Sequence, residues 1–392
     1  MLLLLDQKRG PLKCALALNS CCFSFEREVH MPLSNGPSNG LSNDTAQHSA
    51  LKQAVFLHTG WRSAGTWVWS RLRELDTVTA FYEPLSNVLA ELSLADVSAS
   101  RPTLTSGHPP LAAPYFEEYR PFLQEGARGV AGYQRRFSLD RFANVPDANF
   151  PQLQAYLRNL CERTTAQGSV PVFKFCRSSG RLPWLRAAFP QAMHVGVLRN
   201  PASQFASGWL LSRQWSNPFF VAAPFRVLGL NQADPLVRQA IEICGVSLPP
   251  AAPASEDAYA MACEQYARTA EGHNAYRAFV ALWILCALRM AEDVDLLIDI
   301  DRLGASRDYA LALSTAFETQ SGLSPDFSNA RDLVEETRGG AARMSGIDGR
   351  AMRTVHSAAL KFLKAHGGAN AAFVEVIREK MVLANELTDA WR

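Results

Sequence analysis

The sequence predicts an α/β fold: a P-loop-type parallel sheet flanked by helices, with a helical and loop insertion and a helical C-terminal region. Three observations carry that expectation. Short apolar runs recur without polar alternation, as in strands buried on both faces. Most of them are followed by apolar residues at helical spacing, and the first leads into a glycine-bounded loop that opens a helix.

The elements follow in order. The first strand is AVFLHT, ending before Gly60, and a helix is expected over 66–75. Further strands are expected at 77–82, 170–175, 193–198 and 294–300. Between the second and third lies a stretch, 93–168, that carries Pro109, Pro110, Pro114, Pro121 and many aromatics. It is too long for a plain connection, so it is expected to be an insertion covering the acceptor. Residues 256–292 read as mostly helix, and 350–391 as two further amphipathic helices.

Residues 31–48 are rich in Ser, Asn, Gly and Pro and repeat a Leu-Ser-Asn element; they bury too little apolar area to offset the entropy of ordering. Residues 1–50 are therefore expected to be a disordered leader and 51–392 a single domain, with Met31 an alternative start.

Composition narrows the function. With 392 residues, 48% of them hydrophobic, the chain can bury a large core, which excludes fibrous and wholly disordered classes. A net charge of +2, with basic and acidic residues interspersed, gives no polybasic face, so nucleic acid is not an expected partner. The longest clean apolar run, 279–288, falls short of the roughly 20 residues a membrane span needs. The apolar opening at 1–5 gives way at once to Asp6, Lys8 and Arg9, unlike a secretory signal. Eight cysteines without a CxxC pair or histidines at zinc spacing suit a reducing cytoplasm and no structural metal. Only seven of the 39 basic residues are lysine, and between 53 and 360 Lys174 stands alone, which invites a chemical explanation.

After the first strand comes Gly60-Trp61-Arg62-Ser63-Ala64-Gly65-Thr66-Trp67. A Gly-x-x-x-x-Gly loop curls its backbone N–H groups into a nest, and the helix N-terminus behind it adds partial positive charge, so the pair suits a phosphate-like anion. A nucleotide triphosphatase would continue with Lys and then Ser or Thr for Mg²⁺. Here those positions hold Thr66 and Trp67, and the cation sits inside the loop as Arg62. A two-unit anion handled without Mg²⁺, such as a phosphosulfate, fits better than a triphosphate. A plain strand-to-helix turn with no ligand is the competing reading of the loop taken alone.

The fourth run ends in Arg199-Asn200-Pro201, and Ser207 follows Arg199 by eight residues. Asn200 is a good N-cap and Pro201 occupies the favoured first helical position. Two helical turns then bring Arg199 and the Ser207 hydroxyl to one side, where they could grip a second phosphate.

These residues resemble the family of sulfotransferases that use 3′-phosphoadenosine 5′-phosphosulfate (PAPS). That family carries Lys-Ser-Gly-Thr-Thr-Trp after its first strand, which Arg62-Ser63-Ala64-Gly65-Thr66-Trp67 matches at Ser63, Thr66 and Trp67; Arg replaces Lys, and Ala-Gly replaces Gly-Thr. The family's 3′-phosphate site is an Arg at a strand end with a Ser eight residues on, as in Arg199 and Ser207. Residues 296–303 resemble the family's strand ending in Tyr-Glu-Asp-Leu. Arg338-Gly339-Gly340 is a weaker echo of its Arg-Lys-Gly segment.

The resemblance implies transfer of a sulfuryl group from PAPS to a hydroxyl or amine on a small-molecule, lipid or carbohydrate acceptor, with adenosine 3′,5′-bisphosphate (PAP) as product and no metal. Such chemistry needs a cation on the leaving and sulfuryl oxygens and a base for the acceptor's proton. Arg62 is the expected cation, and Lys174 corresponds to a family Lys that touches the sulfuryl group. Many relatives place a His two residues after that Lys, where this chain has Cys176. Other branches use a carboxylate after the second strand, so Glu83 is the expected base, with His58 and His108 in reserve. Arg177 and Arg181 are weaker candidates. Two alternatives stay open: a degenerate P-loop kinase or nucleotide phosphotransferase, and a non-catalytic PAPS-binding module. Trp184, Trp209, Trp215 and the aromatics of 115–137 leave the acceptor open between apolar and carbohydrate.

Overall fold

The computed structural model describes residues 53–103, 106–123, 126, 128–138, 150–250, 255–344, 346–367 and 370–391. The description is confined to the compact unit 51–392; the leader expected at 1–50 lies outside the described residues.

Five parallel strands form one sheet: β1 (Ala54–Thr59), β2 (Val78–Tyr82), β3 (Val170–Phe175), β4 (Ala192–Leu198) and β5 (Leu296–Asp299). Their order is β2-β3-β1-β4-β5. The central β1 pairs with β3 on one side (Leu57 opposite Lys174) and with β4 on the other (Leu57 opposite Val195). Covered on both faces, all six of its residues are buried, which is why its sequence shows no alternation. The chain leaves β1 toward β2 and leaves β4 toward β5, so the connections diverge between β1 and β4. Open parallel sheets bind ligands at the carboxyl edge of such a switch point.

Helices flank the sheet. α1 (Gly65–Arg73) begins one residue before the expected 66 and stops two short of 75. A short helix, α2 (Leu94–Ala99), opens the insertion with a capping box of Ser93 and Asp96. α3 (Pro151–Thr165) closes it, burying Leu153, Tyr156, Leu157 and Leu160 at helical spacing. Because α3 packs on β3, the end of the insertion covers the sheet. Among its described residues, only the loop at 107–110 lines the cavity described below, a narrower cover than 93–168 as a whole. α4 (Leu182–Ala188) precedes β4, and α5 (Pro201–Trp215) follows it.

The remaining helices are α6 (Phe219–Leu230), α7 (Pro235–Cys244), α8 (Glu256–Thr269), α9 (Gly272–Asp293), α10 (Ile300–Ala305), α11 (Arg307–Ser321), α12 (Leu333–Gly339), α13 (Gly349–His366) and α14 (Ala371–Thr388). The fifth strand is shorter than the expected 294–300. The Asp299 carboxylate accepts the Arg302 N–H at 2.9 Å, and this cap turns the chain into α10 at Ile300. α9 is long and apolar enough to cross a membrane, yet 72% of its apolar window is buried inside the protein, against α6, α7, α13 and the sheet. Aromatic stacking fastens the other apolar cluster, with Phe56 and Phe81 each 5.1 Å from Phe173.

Candidate anion-binding active site

The carboxyl edge of β1, β3 and β4 opens into a cavity of about 1100 Å³. Arg62, Ala64, Gly65, Thr66, Trp67, Glu83, Lys174, Arg199 and Ser207, nine residues singled out from the sequence, all line it. Ser63 is the exception. Its hydroxyl donates to the Gly60 carbonyl at 2.8 Å, and the side chain is buried, fixing the loop's turn instead of facing the cavity.

The loop owes its shape to two special positions. Ala64 caps α1 in a left-handed conformation, φ 65°, where the resembling family has glycine. Gly65, where that family has threonine, leaves no room for a side chain: a Cβ there would lie 2.6 Å from Thr59 Cγ2. Thr66 stands 3.4 Å from the Tyr82 hydroxyl, and Trp67 packs against Phe327 and beneath the Arg71 guanidinium. The Trp67 N–H donates to the Ala64 carbonyl at 2.9 Å, which leaves the Gly65 and Thr66 N–H groups at the start of α1 as the donors that could face an anion. Among the described residues four non-glycine residues have positive φ, and three of them, Arg62, Ala64 and Glu83, line this cavity. Backbone strain concentrated in this way marks a functional site.

The two candidate anion cradles meet. Asn200 accepts the Ser203 N–H at 2.8 Å and Pro201 opens α5, as the sequence predicts. Ser207 then accepts from Arg62 Nε at 3.1 Å and Nη2 at 3.0 Å, and Arg199 Nη1 donates to the Arg62 carbonyl at 3.2 Å. Arg62 also donates to the Ser106 carbonyl at 2.7 Å and to Gly107, which ties the insertion loop down. Arg199 is only 6% exposed, and its Nε, buried in the wall, has no hydrogen-bond partner. Burial lowers its pKa to about 10, with Asp301 opposing and Arg62 assisting, so it is a full cation at neutral pH in search of an anion.

Behind the cradles lies an ion pair that sequence reasoning did not assemble. Lys174, at the end of β3, donates to Glu83, just past β2, and Glu83 also accepts the Cys176 N–H at 3.1 Å, with Arg177 at 3.9 Å. Burial alone would raise the Glu83 pKa, but Lys174, Arg177 and these hydrogen bonds outweigh it and hold the carboxyl below its usual range. Burial opposes the charge of Lys174, yet Cys176, Glu83 and Tyr82 more than offset it, and its pKa lies well above the usual lysine value. Cys176, 3.0 Å from the ammonium, has its thiol pushed up to about 11, first by burial and then by Glu83, so it is neutral at pH 7.

The reserve bases separate. His58 is fully buried inside the sheet, bonded to Ser178 Oγ at 2.8 Å and His194 Nδ1 at 3.0 Å, and is outside the cavity. His108 lines the cavity with Nδ1 on the Tyr115 hydroxyl at 2.7 Å. Burial, then the charges of Lys174 and Arg62, lower its pKa to about 3. Arg177 lines the cavity, whereas Arg181 is buried and donates to the Phe137 carbonyl. Of the 338–340 segment only Gly340 is in the wall; Arg338 pairs with Glu335.

A second unforeseen cluster supports Arg199. Asp301 accepts the Asn200 N–H and Nδ2, both at 2.8 Å, and also Lys380 Nζ at 2.8 Å; Lys380 reaches Asp299 as well. Lys380 is 3% exposed on the buried stripe of α14, between Ile377 and Met381. A charged residue on an apolar stripe was the available signal. Compared with family models, curated proteins and solved structures, the chain matches none.

Proposed function

We propose that this protein is a PAPS-dependent sulfotransferase built on a P-loop-type sheet. The observation that carries the reading is the hydrogen-bonded meeting of Arg62 and Ser207, from two motifs about 145 residues apart, beside a buried Arg199 with a spare donor. One nucleotide with phosphates at both ends of its ribose can engage both. In this reading the α1 N–H groups and Arg62 hold the phosphosulfate, and Arg199 with Ser207 holds the 3′-phosphate. Lys174, cationic at any usable pH, faces the sulfuryl oxygens.

The acceptor oxygen bonds to sulfur as the sulfur–oxygen bond to the phosphate breaks. The acceptor's proton needs a base. Glu83 lines the cavity, but its carboxylate is committed to Lys174 and Cys176, which lowers its proton affinity and makes it the group that positions Lys174. His108 lines the same cavity; burial first, then the Lys174 and Arg62 charges, lower its pKa to about 3, and a bound anion would offset the charges but not the burial. We therefore assign the proton to His108 in place of Glu83.

The test is calorimetric binding of PAP and of Mg²⁺-ATP, with transfer from labelled PAPS to an acceptor panel. PAP is expected to bind without metal, and Arg199→Ala to weaken it by about 1.5 to 3 kcal/mol, the range for a charge-assisted hydrogen bond. His108→Asn should keep PAP affinity and lower turnover about 10²- to 10⁴-fold. Tight Mg²⁺-ATP binding with none for PAP would overturn the reading in favour of a phosphotransferase. PAP binding with no turnover on any acceptor would leave a binding module.

A further inference from the structure

His108 lies on a turn of the insertion, outside any helix or strand, yet it is part of the cavity wall. Its Nδ1 shares a hydrogen bond of 2.7 Å with the Tyr115 hydroxyl, and the Tyr115 ring is packed 4.6 Å from that of Tyr82. Pro109 and Pro110 follow, and a residue before proline is confined to extended backbone, so the chain is stiff on that side. On the other side stand Ser106 and Gly107, and Arg62 donates to the carbonyls of both.

The guanidinium works along two edges. Nε and Nη2 donate to Ser207 Oγ at 3.1 and 3.0 Å, which anchors the fork on α5. Nη1 donates to the Ser106 carbonyl at 2.7 Å and Nη2 to the Gly107 carbonyl at 3.2 Å. The second carbonyl belongs to the planar peptide unit that also holds the His108 N–H, so fixing it fixes the base from which the imidazole projects. A lysine, with one ammonium on a flexible stem, lacks the rigid fork that holds a helix and two successive carbonyls together. Gly107 is what lets the loop come down so closely: its φ is 56°, and a Cβ there would stand 2.9 Å from Arg62 Nη2 and 3.1 Å from Leu211 Cδ1. Arg62 itself has φ 65°, so the backbone is strained where the fork is planted.

We infer that Arg62 is the positioning residue for His108: its fork clamps the two carbonyls that precede the histidine and keeps the imidazole in the cavity, leaving Nε2 for the acceptor's proton. The inference rests on the sulfotransferase reading for what His108 then does; the clamp itself does not. It accounts for arginine where the resembling family has lysine. With Cys176 at the end of β3, the base comes from a loop and not from a strand end, and a base on a loop needs a holder. The role adds to the anion contact without displacing it, because one N–H on Nη1 stays free of the loop and of Ser207.

Diethyl pyrocarbonate, which acylates neutral imidazole, reads how firmly His108 is held. Its rate of modification in the full chain at pH 7 is followed by peptide mass spectrometry, with His273 and His366 as internal references and PAP binding measured in parallel. Arg62→Lys keeps the charge and removes the fork, and is expected to raise the His108 rate about tenfold, the equivalent of one charge-assisted hydrogen bond, with both reference rates unchanged. Gly107→Ala keeps Arg62 and drives the loop off it; it should give a similar rise and serves if Arg62→Lys fails to fold. An unchanged His108 rate in a folded variant, or a rise shared by the two references, overturns the inference. A wild type that binds no PAP, alongside the expected rates, overturns the sulfotransferase reading instead and leaves the clamp.

Discussion

Replacing Glu83 by glutamine isolates the buried pair on which the site depends. Lys174 is 3% exposed, and its remaining neighbours would be the neutral Cys176 thiol at 3.0 Å and the Tyr82 ring at 4.7 Å. Neither replaces a carboxylate. Removing one partner of a buried pair costs about 3 to 5 kcal/mol because the other charge stays buried without compensation. Glutamine keeps an acceptor oxygen for the Cys176 N–H, so the lower end, about 3 kcal/mol, is expected. Urea unfolding at pH 7 measures it.

The pH dependence has a definite sign. The lowered Glu83 pKa gives stability that is present above the usual carboxylate value of 4.5 and is lost as pH falls through the folded value. The raised Lys174 pKa gives stability that is present below 10.5 and is lost only as pH rises through its higher folded value. The Glu83→Gln deficit should therefore be flat from pH 6 to 9 and shrink in acid. Removing both charges, as Glu83→Gln with Lys174→Met, should recover much of the loss, since a well-packed neutral pair can match a buried ionic one. A single-variant cost under about 1 kcal/mol, or a double variant no better than the single, would refute the reasoning.

Two further outcomes are expected. Ala64→Gly should stabilise the fold by about 0.5 kcal/mol, because release of the left-handed strain outweighs the added unfolded-state entropy, whereas Gly65→Ala should cost about 1 to 3 kcal/mol through its clash with Thr59; thermal unfolding of both variants checks this pair. His58 is buried and neutral, its pKa lowered first by burial and then by His194 and Arg186, so the unfolded state takes up a proton near pH 6.5 that the folded state refuses. Wild type should thus lose about 1.4 kcal/mol from this residue between pH 7.5 and 5.5, and His58→Gln should not, which shows as a difference in the pH slopes of urea unfolding.

The sheet was legible because its central strands are buried on both faces and so wrote themselves as unbroken apolar runs; β1 and β3 fall on the expected residues. The Asn200-Pro201 helix start was legible because caps are local. The partnerships were not. Lys174 and Glu83 are 91 residues apart and Lys380 and Asp299 81 apart, and nothing in the spacing of either pair reports that the fold brings them together, the first by strand pairing and the second by the packing of α14. The isolation of Lys174 among arginines marked one member without revealing the other. His58 misled because a strand-end histidine reads alike whether it faces a cleft or, as here, a second imidazole inside the sheet.

The lysine on α14 makes the last helix a silent stakeholder in chemistry it never touches. Lys380 holds Asp301, Asp301 holds Asn200, and Asn200 starts the helix that carries Ser207. Linkage makes that dependence mutual. If Arg199 seats an anion as proposed, that anion would tighten α14 and fraying of α14 would loosen its hold, so protection of α14 amides from exchange would be a remote gauge of occupancy.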